Sequence, residues 1–442
     1  MQRRPITFGT DGARGVANEG LIPEDALRLG LAAARLFGGP ILICRDTRLS
    51  GGMLSSALAA GAASGGARVI DAGVLPTPGV AALAVRLGAA AAGVVSASHN
   101  PYPDNGIKFF SGEGQKLSGA KEREIEALAA DTDPERPTRS GIGPVEQLDG
   151  SARLYVEGVL ERLRPRVGGM KVLLDCANGA AYEAAPLAFE KLDVDLTVAG
   201  DKPDGTNINV NCGSTHIHGL DASGHNVAFA LDGDADRVLA KDEKGEVIDG
   251  DRIMAILARD LQERGALEGG VVVTVMSNLG FFKAMESMNI AYEVTPVGDR
   301  HVAEAMRARR VILGGEQSGH VILSEHVTTG DGLVTALALL DVMARSGRPL
   351  SELAEVMEAY PQKLINVAVT DVASAKTLAA SAAVGRAVSE AEERLGEEGR
   401  ILLRPSGTEP VVRVMVEHAD EDVCREVCEE VARVVGEAEI RA

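Results

Sequence analysis

The sequence predicts a mainly α/β fold built around central sheets, and three observations support this prediction. Strand-like apolar runs alternate with Ala-rich segments of helical periodicity through most of the 442 residues. Hydrophobic residues make up 45% of the chain, which is typical of a globular protein. The length corresponds to roughly three domains, and a chain of this size can bury a large core.

The first block of the chain contains three apolar β-rich runs that are separated by two helical segments. Strands are predicted at 40–46, 67–73 and 91–98, and helices at 52–65 and 78–88. A polar stretch at 131–147, rich in Pro and charged residues, indicates a boundary.

Two further blocks repeat this pattern. The second has a predicted helix at 151–164, then strands in MKVLLDCANG and DVDLTVAG, and a strand, loop and strand in VAFALDGDADRVLAKDEKG. The third contains GGVVVTVMSN, IAYEVTPVGD and RRVILGGEQSGHVIL, each predicted as a strand running into a polar loop, with RRVIL as the last strand. A smaller fourth block begins near Tyr360 and ends in a helix. Ligand groups gather at the carboxyl ends of strands in such sheets, where the most polar motifs fall.

The charge of the chain limits its partners. The formal net charge is -19, so the surface repels nucleic acid and anionic lipid. No apolar run of about 18 residues is present, and the N-terminus has no apolar signal region, so we expect a cytoplasmic protein. An enzyme of this charge that acts on a phosphate must concentrate Arg and Lys locally.

The segment VVSASHNP places a serine at the end of a predicted buried strand, where the backbone holds Ser98 rigidly. His99 beside it can move protons near neutral pH. Lys108, ten residues on, can neutralise an anion. A polar Asn-Pro turn explains this segment equally well on its own.

Asp232, Asp234 and Asp236 alternate within LDGDADR, and Arg237 follows directly. Three carboxylates within five residues suit a hard divalent cation, with Mg²⁺ favoured over Ca²⁺. The spacing also opens an EF-hand loop that would end at Glu243. However, Arg237 stands where that loop needs Gly, and the flanks look like strands. A solvated acidic turn is the remaining alternative.

Two Gly-rich motifs contain polar groups that indicate a functional site only weakly. GGEQSGH contributes Glu316, Ser318 and His320, and Glu316 can accept hydrogen bonds from sugar hydroxyls. FGTDGARG offers Arg14 within a tight turn. Plain turns explain both motifs as well.

The segment RPSGTEPVVRV is typical of a phosphate-binding loop. It brings together two guanidinium groups, two hydroxyls and free backbone N–H groups, which bind phosphate through charge-assisted hydrogen bonds. The residues concerned are Arg404, Ser406, Gly407, Thr408 and Arg413.

Together these five motifs, in this order, make the chain similar to the α-D-phosphohexomutase family over nearly its whole length. The resemblance is strongest to the branch that acts on glucosamine phosphate, because RDTRLSG, NINVNCGSTH, TVMSNLGF, VGDR and TTGDGL are also similar. One position departs from the branch, which usually has DGDGDR where this chain has Ala235. The three Asp residues are retained, and we expect only a somewhat stiffer loop.

The resemblance implies four domains around one central cleft: three related α/β domains and a smaller C-terminal α+β domain. Their expected bounds are 1–148 with the serine loop, 149–250 with the metal loop, 251–360 with the sugar loop and 361–442 with the phosphate loop.

The resemblance also implies roles for individual residues. Ser98 would be phosphorylated and would complete the shell of one Mg²⁺ held by Asp232, Asp234 and Asp236. The other expected catalytic residues are His99, Lys108 and Arg14. The expected substrate contacts are Arg237, Arg300, Glu316, Ser318 and His320, and the phosphate contacts are Arg404, Ser406, Gly407, Thr408 and Arg413.

The implied reaction interconverts glucosamine 6-phosphate and glucosamine 1-phosphate. Phospho-Ser98 gives its group to the free hydroxyl, glucosamine 1,6-bisphosphate turns round without leaving, and its other phosphate returns to the serine. The proton carriers stay open among His99, Lys108 and His320, with the first two favoured near the transferred group.

Two alternatives remain beside this reading. One is a phosphoglucomutase or phosphomannomutase of the same family, and the other is a non-enzymatic protein that binds a metal or a sugar phosphate. Intact Ser98, His99 and Lys108 oppose the second, because a binder needs no nucleophile. The expected partner is a small-molecule sugar phosphate and neither nucleic acid nor membrane, and the resemblance is compatible with a homodimer.

Overall fold

The computed structural model describes residues 5–9, 11–406 and 409–441, which fall into two compact units. The first unit runs to Met276 and includes Ile290–Val356. The second unit consists of Ser277–Asn289 and the chain from Met357 onwards.

The first sheet has the strand order β1-β5-β4-β2-β3-β6 among the described residues. Its parallel strands are covered by Ala-rich helices, which explains why they read as continuous apolar runs. The strands are β1 (Ala13–Val16), β2 (Ile41–Arg45), β3 (Val69–Val74), β4 (Ala91–Val95), β5 (Asp104–Ser111) and β6 (Val145–Gln147). The helices are α1 (Pro23–Phe37), α2 (Gly51–Ser64), α3 (Thr77–Leu87) and α4 (Gly119–Ala129).

The second sheet has the order β11-β10-β9-β7-β8 over the same described residues. Its elements are α5 (Ser151–Leu163), β7 (Gly168–Asp175), α6 (Ala184–Phe189), β8 (Asp193–Ala199), β9 (Val227–Leu231), β10 (Val238–Asp242) and β11 (Val247–Ile248). Every residue of β9 is buried, as its apolar sequence VAFAL predicts.

The third sheet has the order β13-β12-β14-β15 within the part of the chain that is described. Its region contains α7 (Gly250–Glu263), β12 (Val271–Thr274), α8 (Leu279–Ser287), β13 (Tyr292–Thr295), α9 (Asp299–Arg309), β14 (Leu313–Gly315), β15 (Val321–Leu323), α10 (Gly332–Ser346) and α11 (Leu350–Ala354). Helix α8 belongs to the second unit.

The three sheets repeat one topology. In each, the first two strands pair in parallel, the third pairs in parallel with the first, and an antiparallel strand adds beside the third. These quartets are β2-β3-β4-β5, β7-β8-β9-β10 and β12-β13-β14-β15 in chain order. The prediction of related α/β units is therefore confirmed.

One predicted strand is wrong in its position. RRVIL was expected to form a strand, but Arg309 ends α9, Arg310 has a left-handed backbone with φ of 57°, and β14 begins only at Leu313. Val311 is apolar because it packs against the hydrophobic cluster beneath α9, which includes Val302. An apolar run this short does not distinguish a buried helix end from a strand.

The C-terminal part of the second unit is an antiparallel sheet covered by helices, with its own apolar core. Its elements are β16 (Gln362–Ala368), α12 (Val372–Ala379), α13 (Ala382–Leu395), β17 (Gly399–Pro405), β18 (Val411–His418) and α14 (Glu421–Arg441). This confirms the smaller α+β region that ends in a helix. Across the described residues, no helix combines the length and apolar character needed to cross a membrane.

Candidate active site

Three polar loops of the first unit occupy the same place in their sheets. Each joins the third parallel strand to the antiparallel strand beside it: 96–103 after β4, 232–237 after β9 and 316–320 after β14. Carboxyl ends of parallel strands are where open α/β sheets bind ligands. The loops meet, since Ser98 contacts Asp232 and His320 faces Asp236.

The observed strand β4 is shorter than the predicted strand 91–98, because it ends at Val95. Ser98 lies three residues beyond that end and therefore belongs to the loop. The residue is 2% exposed and has a left-handed backbone with φ of 52°. Its Oγ donates a hydrogen bond to Asp232 Oδ2 at 2.6 Å and lies 3.3 Å from His99 Nδ1. The structure thus brings the predicted nucleophile onto the acidic motif.

The three carboxylates of the acidic motif form a compact buried cluster. Asp232, Asp234 and Asp236 each offer one oxygen, and these oxygens lie within 4.8 Å of one another. Burial raises the pKa of Asp232, and the neighbouring charges of Asp236 and Asp234 raise it further. Such a cluster is costly without a compensating cation.

The cluster retains ligand atoms that protein groups do not use. Asp234 Oδ1 and Asp236 Oδ1 are both buried, and neither has a hydrogen-bond partner among the described residues. Carboxylate oxygens in this arrangement suit a hard divalent cation. The flanking strands β9 and β10 also agree with the earlier argument against an EF-hand, whose loop joins two helices. These residues form a candidate metal site.

Thr77 fixes the carboxylate of Asp234, and the sequence analysis did not identify it as a site residue. Its Oγ1 donates to Asp234 Oδ2 at 2.6 Å, and its backbone N–H donates to the Asp234 carbonyl at 3.0 Å. Thr77 begins α3, far from the acidic motif in the chain. The local sequence LPTPG indicates only the start of a helix and does not indicate a contact with the acidic motif.

Lys108 compensates part of the cluster's charge. It lies in the middle of β5, and its Nζ donates to Asp234 Oδ2 at 2.8 Å. Burial lowers the pKa of Lys108, but the carboxylates of Asp11, Asp234 and Asp236 outweigh burial and raise it above its ordinary value. Lys108 is therefore an ammonium at neutral pH, where it can stabilise negative charge but cannot act as a base.

His99 has the opposite electrostatic surroundings. Burial lowers its pKa, and the positive charges of Arg237 and Arg14 lower it further. The imidazole is therefore neutral near pH 7. With Nδ1 close to Ser98 Oγ, it can exchange a proton with that oxygen.

Two influences on His320 oppose each other. Burial lowers its pKa, whereas the Asp236 carboxylate, whose Oδ2 lies 3.6 Å from Nδ1, raises it. The Gly330 backbone N–H donates to Nε2 at 3.1 Å, so a proton on Nε2 would face another donor. Since that N–H cannot be removed, we assign the neutral ring with its proton on Nδ1. Nε2 then accepts the Gly330 N–H, and the Nδ1 proton faces the Asp236 carboxylate.

The residues that were expected to contact the substrate do not all lie beside the carboxylate cluster. Arg237 borders the cluster, with Nε 3.8 Å from Asp236 Oδ1. Glu316 Oε1 accepts a hydrogen bond from the Gly298 N–H at 3.1 Å, and Ser318 is exposed in the same loop. Arg300 forms an ion pair with Glu122 at 2.7 Å.

Arg14 lies on the edge strand β1, where a Gly-rich turn was expected. Its Nη1 donates to Asn100 Oδ1 at 3.3 Å, and its guanidinium pairs with Asp11. Lys116 then joins Asp11 to Asp299, with both Nζ to oxygen distances at 2.8 Å. This network was missed, although Asp11 and Asp299 fall in FGTDGARG and VGDR.

The departure at Ala235 has a clear structural meaning. Ala235 has φ of 57°, a left-handed conformation that costs about 1–2 kcal/mol for a residue with a Cβ. Its backbone N–H still donates to the Asp232 carbonyl at 3.0 Å, so the loop keeps its turn. By contrast, Gly233 has no room for a side chain, since a Cβ there would lie 2.5 Å from the Ser98 carbonyl oxygen.

The predicted phosphate loop lies in the second unit. Arg404 and Arg413 are directly opposite each other on β17 and β18. Arg413 pairs with Glu409 at 2.6 Å, and the Glu409 N–H donates to Ser406 Oγ at 3.1 Å. The two other predicted residues, Gly407 and Thr408, lie outside the described residues.

Family models match most of the chain. Residues 5–136 match phosphoglucomutase/phosphomannomutase alpha/beta/alpha domain I, residues 249–360 match domain III, and residues 364–434 match the C-terminal domain.

Individual relatives agree with these matches. The chain is 70% identical over 434 residues to a phosphoglucosamine mutase of Rubrobacter xylanophilus, covering 98% of each chain. The structure is similar to a phosphoglucomutase/phosphomannomutase family protein of Burkholderia thailandensis, with a TM-score of 0.84, 26% identity and 98% of each chain covered. It also has the fold of Aspergillus fumigatus N-acetylphosphoglucosamine mutase in complex with GlcNAc-6P and magnesium, with a TM-score of 0.74, 19% identity, and 99% and 96% coverage. The chain therefore belongs to the α-D-phosphohexomutase family, and it is an enzyme of the phosphohexomutase class.

Proposed function

We propose that the chain interconverts glucosamine 6-phosphate and glucosamine 1-phosphate through a phosphorylated Ser98. The observation that carries this proposal is the position of Ser98 Oγ, 2.6 Å from Asp232 within a buried cluster of three carboxylates. A serine that only shaped a turn would not need such a cluster. The identity of the sugar is supported by the relative named phosphoglucosamine mutase.

We propose that one Mg²⁺ binds at Ser98, Asp232, Asp234 and Asp236. All four residues offer oxygen ligands, which Mg²⁺ prefers, and the Aspergillus fumigatus relative was solved with magnesium. When bound, the ion offsets negative charge on the transferred phosphoryl group. Lys108 adds a fixed positive charge beside the same carboxylates.

In the first half-reaction, the bond between Ser98 Oγ and phosphorus breaks as the oxygen of the free sugar hydroxyl bonds to phosphorus. The neutral imidazole of His99 accepts the proton that the sugar hydroxyl loses, and the departing Oγ then takes up that proton. His99 is placed to return a proton to Oγ here and to accept it when Ser98 attacks in the second half-reaction. Lys108 stays charged and stabilises the phosphoryl oxygens.

The product of the first half-reaction is glucosamine 1,6-bisphosphate, which we propose as the intermediate. It must turn round so that its other phosphate returns to Ser98. The phosphate that is not being transferred then needs a second binding group. We propose that this group is the loop with Arg404, Ser406, Gly407, Thr408 and Arg413. Guanidinium groups bind the phosphate itself, so the loop can hold either phosphate of the sugar.

Arg404→Ala is expected to weaken sugar-phosphate binding by about 10- to 100-fold, since a charge-assisted hydrogen bond contributes about 1.5–3 kcal/mol. Calorimetric titration with the sugar phosphate measures this loss, and phosphorylation of Ser98 should persist. Arg433→Ala, an exposed change on α14, is the matched control and should leave binding unchanged. Unaltered binding in Arg404→Ala would place the phosphate contact elsewhere.

The substrate is tested by kcat/KM for glucosamine, glucose and mannose phosphates under identical conditions. We expect glucosamine phosphate to be preferred by about tenfold, which corresponds to about 1.4 kcal/mol, because Glu316 binds an ammonium group more strongly than a hydroxyl. Glu316→Gln should reduce this preference. A rate for glucose or mannose phosphate that equals or exceeds the glucosamine rate would favour a phosphoglucomutase or phosphomannomutase.

The domain division and the setting of the protein are also proposals. Boundaries after residues 148 and 360 are supported because β6 ends at Gln147 and β16 begins at Gln362, whereas α7 begins at Gly250, one residue before the proposed third domain. A homodimer is proposed from the family resemblance, and a cytoplasmic setting is proposed from the sequence expectation given above.

A further inference from the structure

Arg48 is a buried charge for which the reaction described above has no use. Its side chain is 0% exposed, and its Nε lies 2.8 Å from Asp46 Oδ2. Arginine is almost never fully buried unless it is paired, and each unsatisfied donor of a buried guanidinium is costly. The residue belongs to RDTRLSG, a segment that lacks any assigned task.

The guanidinium uses all of its donors on the loop that contains Ser98, on the first residue of β5 and on one carboxylate. An arginine has five N–H donors in a rigid fork. Nη2 donates to the carbonyls of Ser98 and Asn100, and Nη1 donates to those of Pro101 and Asp104. Nε donates to the Asp46 carboxylate.

These contacts hold the nucleophile loop in an unfavourable shape. Four carbonyl groups that converge on one point repel one another unless a cation lies between them. Ser98 has a left-handed backbone, which persists only where the surroundings determine it. Asn209 Nδ2 adds a second bond to the Ser98 carbonyl at 2.9 Å. The position of Ser98 Oγ beside Asp232 therefore depends on these donors.

The other end of the Ser98 peptide is held by the same network. Asp46 Oδ2, which accepts from Arg48, also accepts from Ser96 Oγ at 2.6 Å. Ser96 Oγ in turn accepts the Ser98 backbone N–H at 3.0 Å. Both the carbonyl and the N–H of Ser98 are thus fixed through Arg48 and its partner.

We propose that Arg48 is a positioning residue for phosphoryl transfer, which sets the backbone of Ser98 through its carbonyl contacts and through Asp46 and Ser96. This role rests on the proposed function of Ser98. Because its five donors are all engaged by protein groups, Arg48 has none left for a phosphate. It acts on the reaction only through the loop.

The test compares Arg48→Lys and Ser96→Ala with the wild-type enzyme, with Ser64→Ala as a matched control on α2. Lysine keeps the charge but has three donors in place of five. We expect kcat to fall about 100-fold in Arg48→Lys, as for other misplaced reacting groups, with KM for the sugar phosphate nearly unchanged. Ser96→Ala should lose about tenfold in kcat, because it removes one hydrogen bond. Ser64→Ala should match the wild type.

The readouts separate positioning from folding. Kinetic constants are normalised to the folded fraction from circular dichroism, and the single-turnover rate of phosphate transfer onto Ser98 is measured in parallel. A purely structural role would lower the melting temperature and leave both normalised rates at the wild-type value, which would overturn the proposal. If Arg48→Lys does not fold, Ser96→Ala decides by the same criterion. A wild-type enzyme without turnover and without phosphate on Ser98 would instead refute the proposed function, and the positioning role would fall with it.

Discussion

Replacing Ser98 with alanine is expected to abolish turnover while the protein stays folded. Removal of an attacking nucleophile lowers kcat by on the order of 10⁶-fold in well-studied hydrolases. The fold should tolerate the change, because Ser98 Oγ contacts only Asp232 and His99 among the described side chains, and one hydrogen bond contributes about 1 kcal/mol. A coupled assay for glucosamine 1-phosphate gives the rate, and circular dichroism gives the fold.

Ser64→Ala again serves as the control for this change, since it removes a hydroxyl that only bonds within α2. Its rate should equal that of the wild type. Turnover by Ser98→Ala at a rate near that of the control would mean that another group carries the phosphate.

Asp234→Asn is expected to weaken binding of Mg²⁺ by at least about 100-fold and to slow transfer strongly, because loss of even an indirect partner of a metal costs about 10- to 100-fold. Asp234 also receives the bonds of Thr77 and Lys108, so the uncharged amide leaves the Lys108 ammonium with less compensation. Isothermal titration calorimetry measures the affinity, and the coupled assay measures the rate.

Asp221→Asn is a suitable control, because Asp221 is an exposed carboxylate in the same unit, outside the cluster. It should bind Mg²⁺ like the wild type. Exhaustive chelation should silence the wild-type enzyme, and restored Mg²⁺ should recover it. Full activity after chelation would contradict the metal role of the cluster.

Much of this architecture is readable from local sequence patterns. Apolar runs such as VAFAL predicted buried strands, and the polar motifs that follow them predicted where the loops lie. The three loops that meet were all found as motifs, because a functional loop at a strand end concentrates polar and Gly residues that a surface turn does not need.

What the sequence did not predict depends on contacts between distant segments. Thr77 and Arg48 have ordinary neighbours in the chain. Their partners, Asp234 and the Ser98 carbonyl, lie 157 and 50 positions away. A backbone carbonyl leaves no trace in the sequence, so four contacts of Arg48 were invisible. The misplaced strand at RRVIL had the same origin, because Val311 is apolar for its packing under α9.

The central claim, that Ser98 carries the phosphoryl group, is tested most directly by following a labelled phosphate. The enzyme is incubated with glucosamine 1,6-bisphosphate that carries ³²P, digested, and its labelled peptide is sequenced by mass spectrometry. We expect the label on Ser98, and we expect unlabelled glucosamine 6-phosphate to remove it into the sugar. A label on Ser96, or an enzyme that turns over without any labelled serine, would contradict the account.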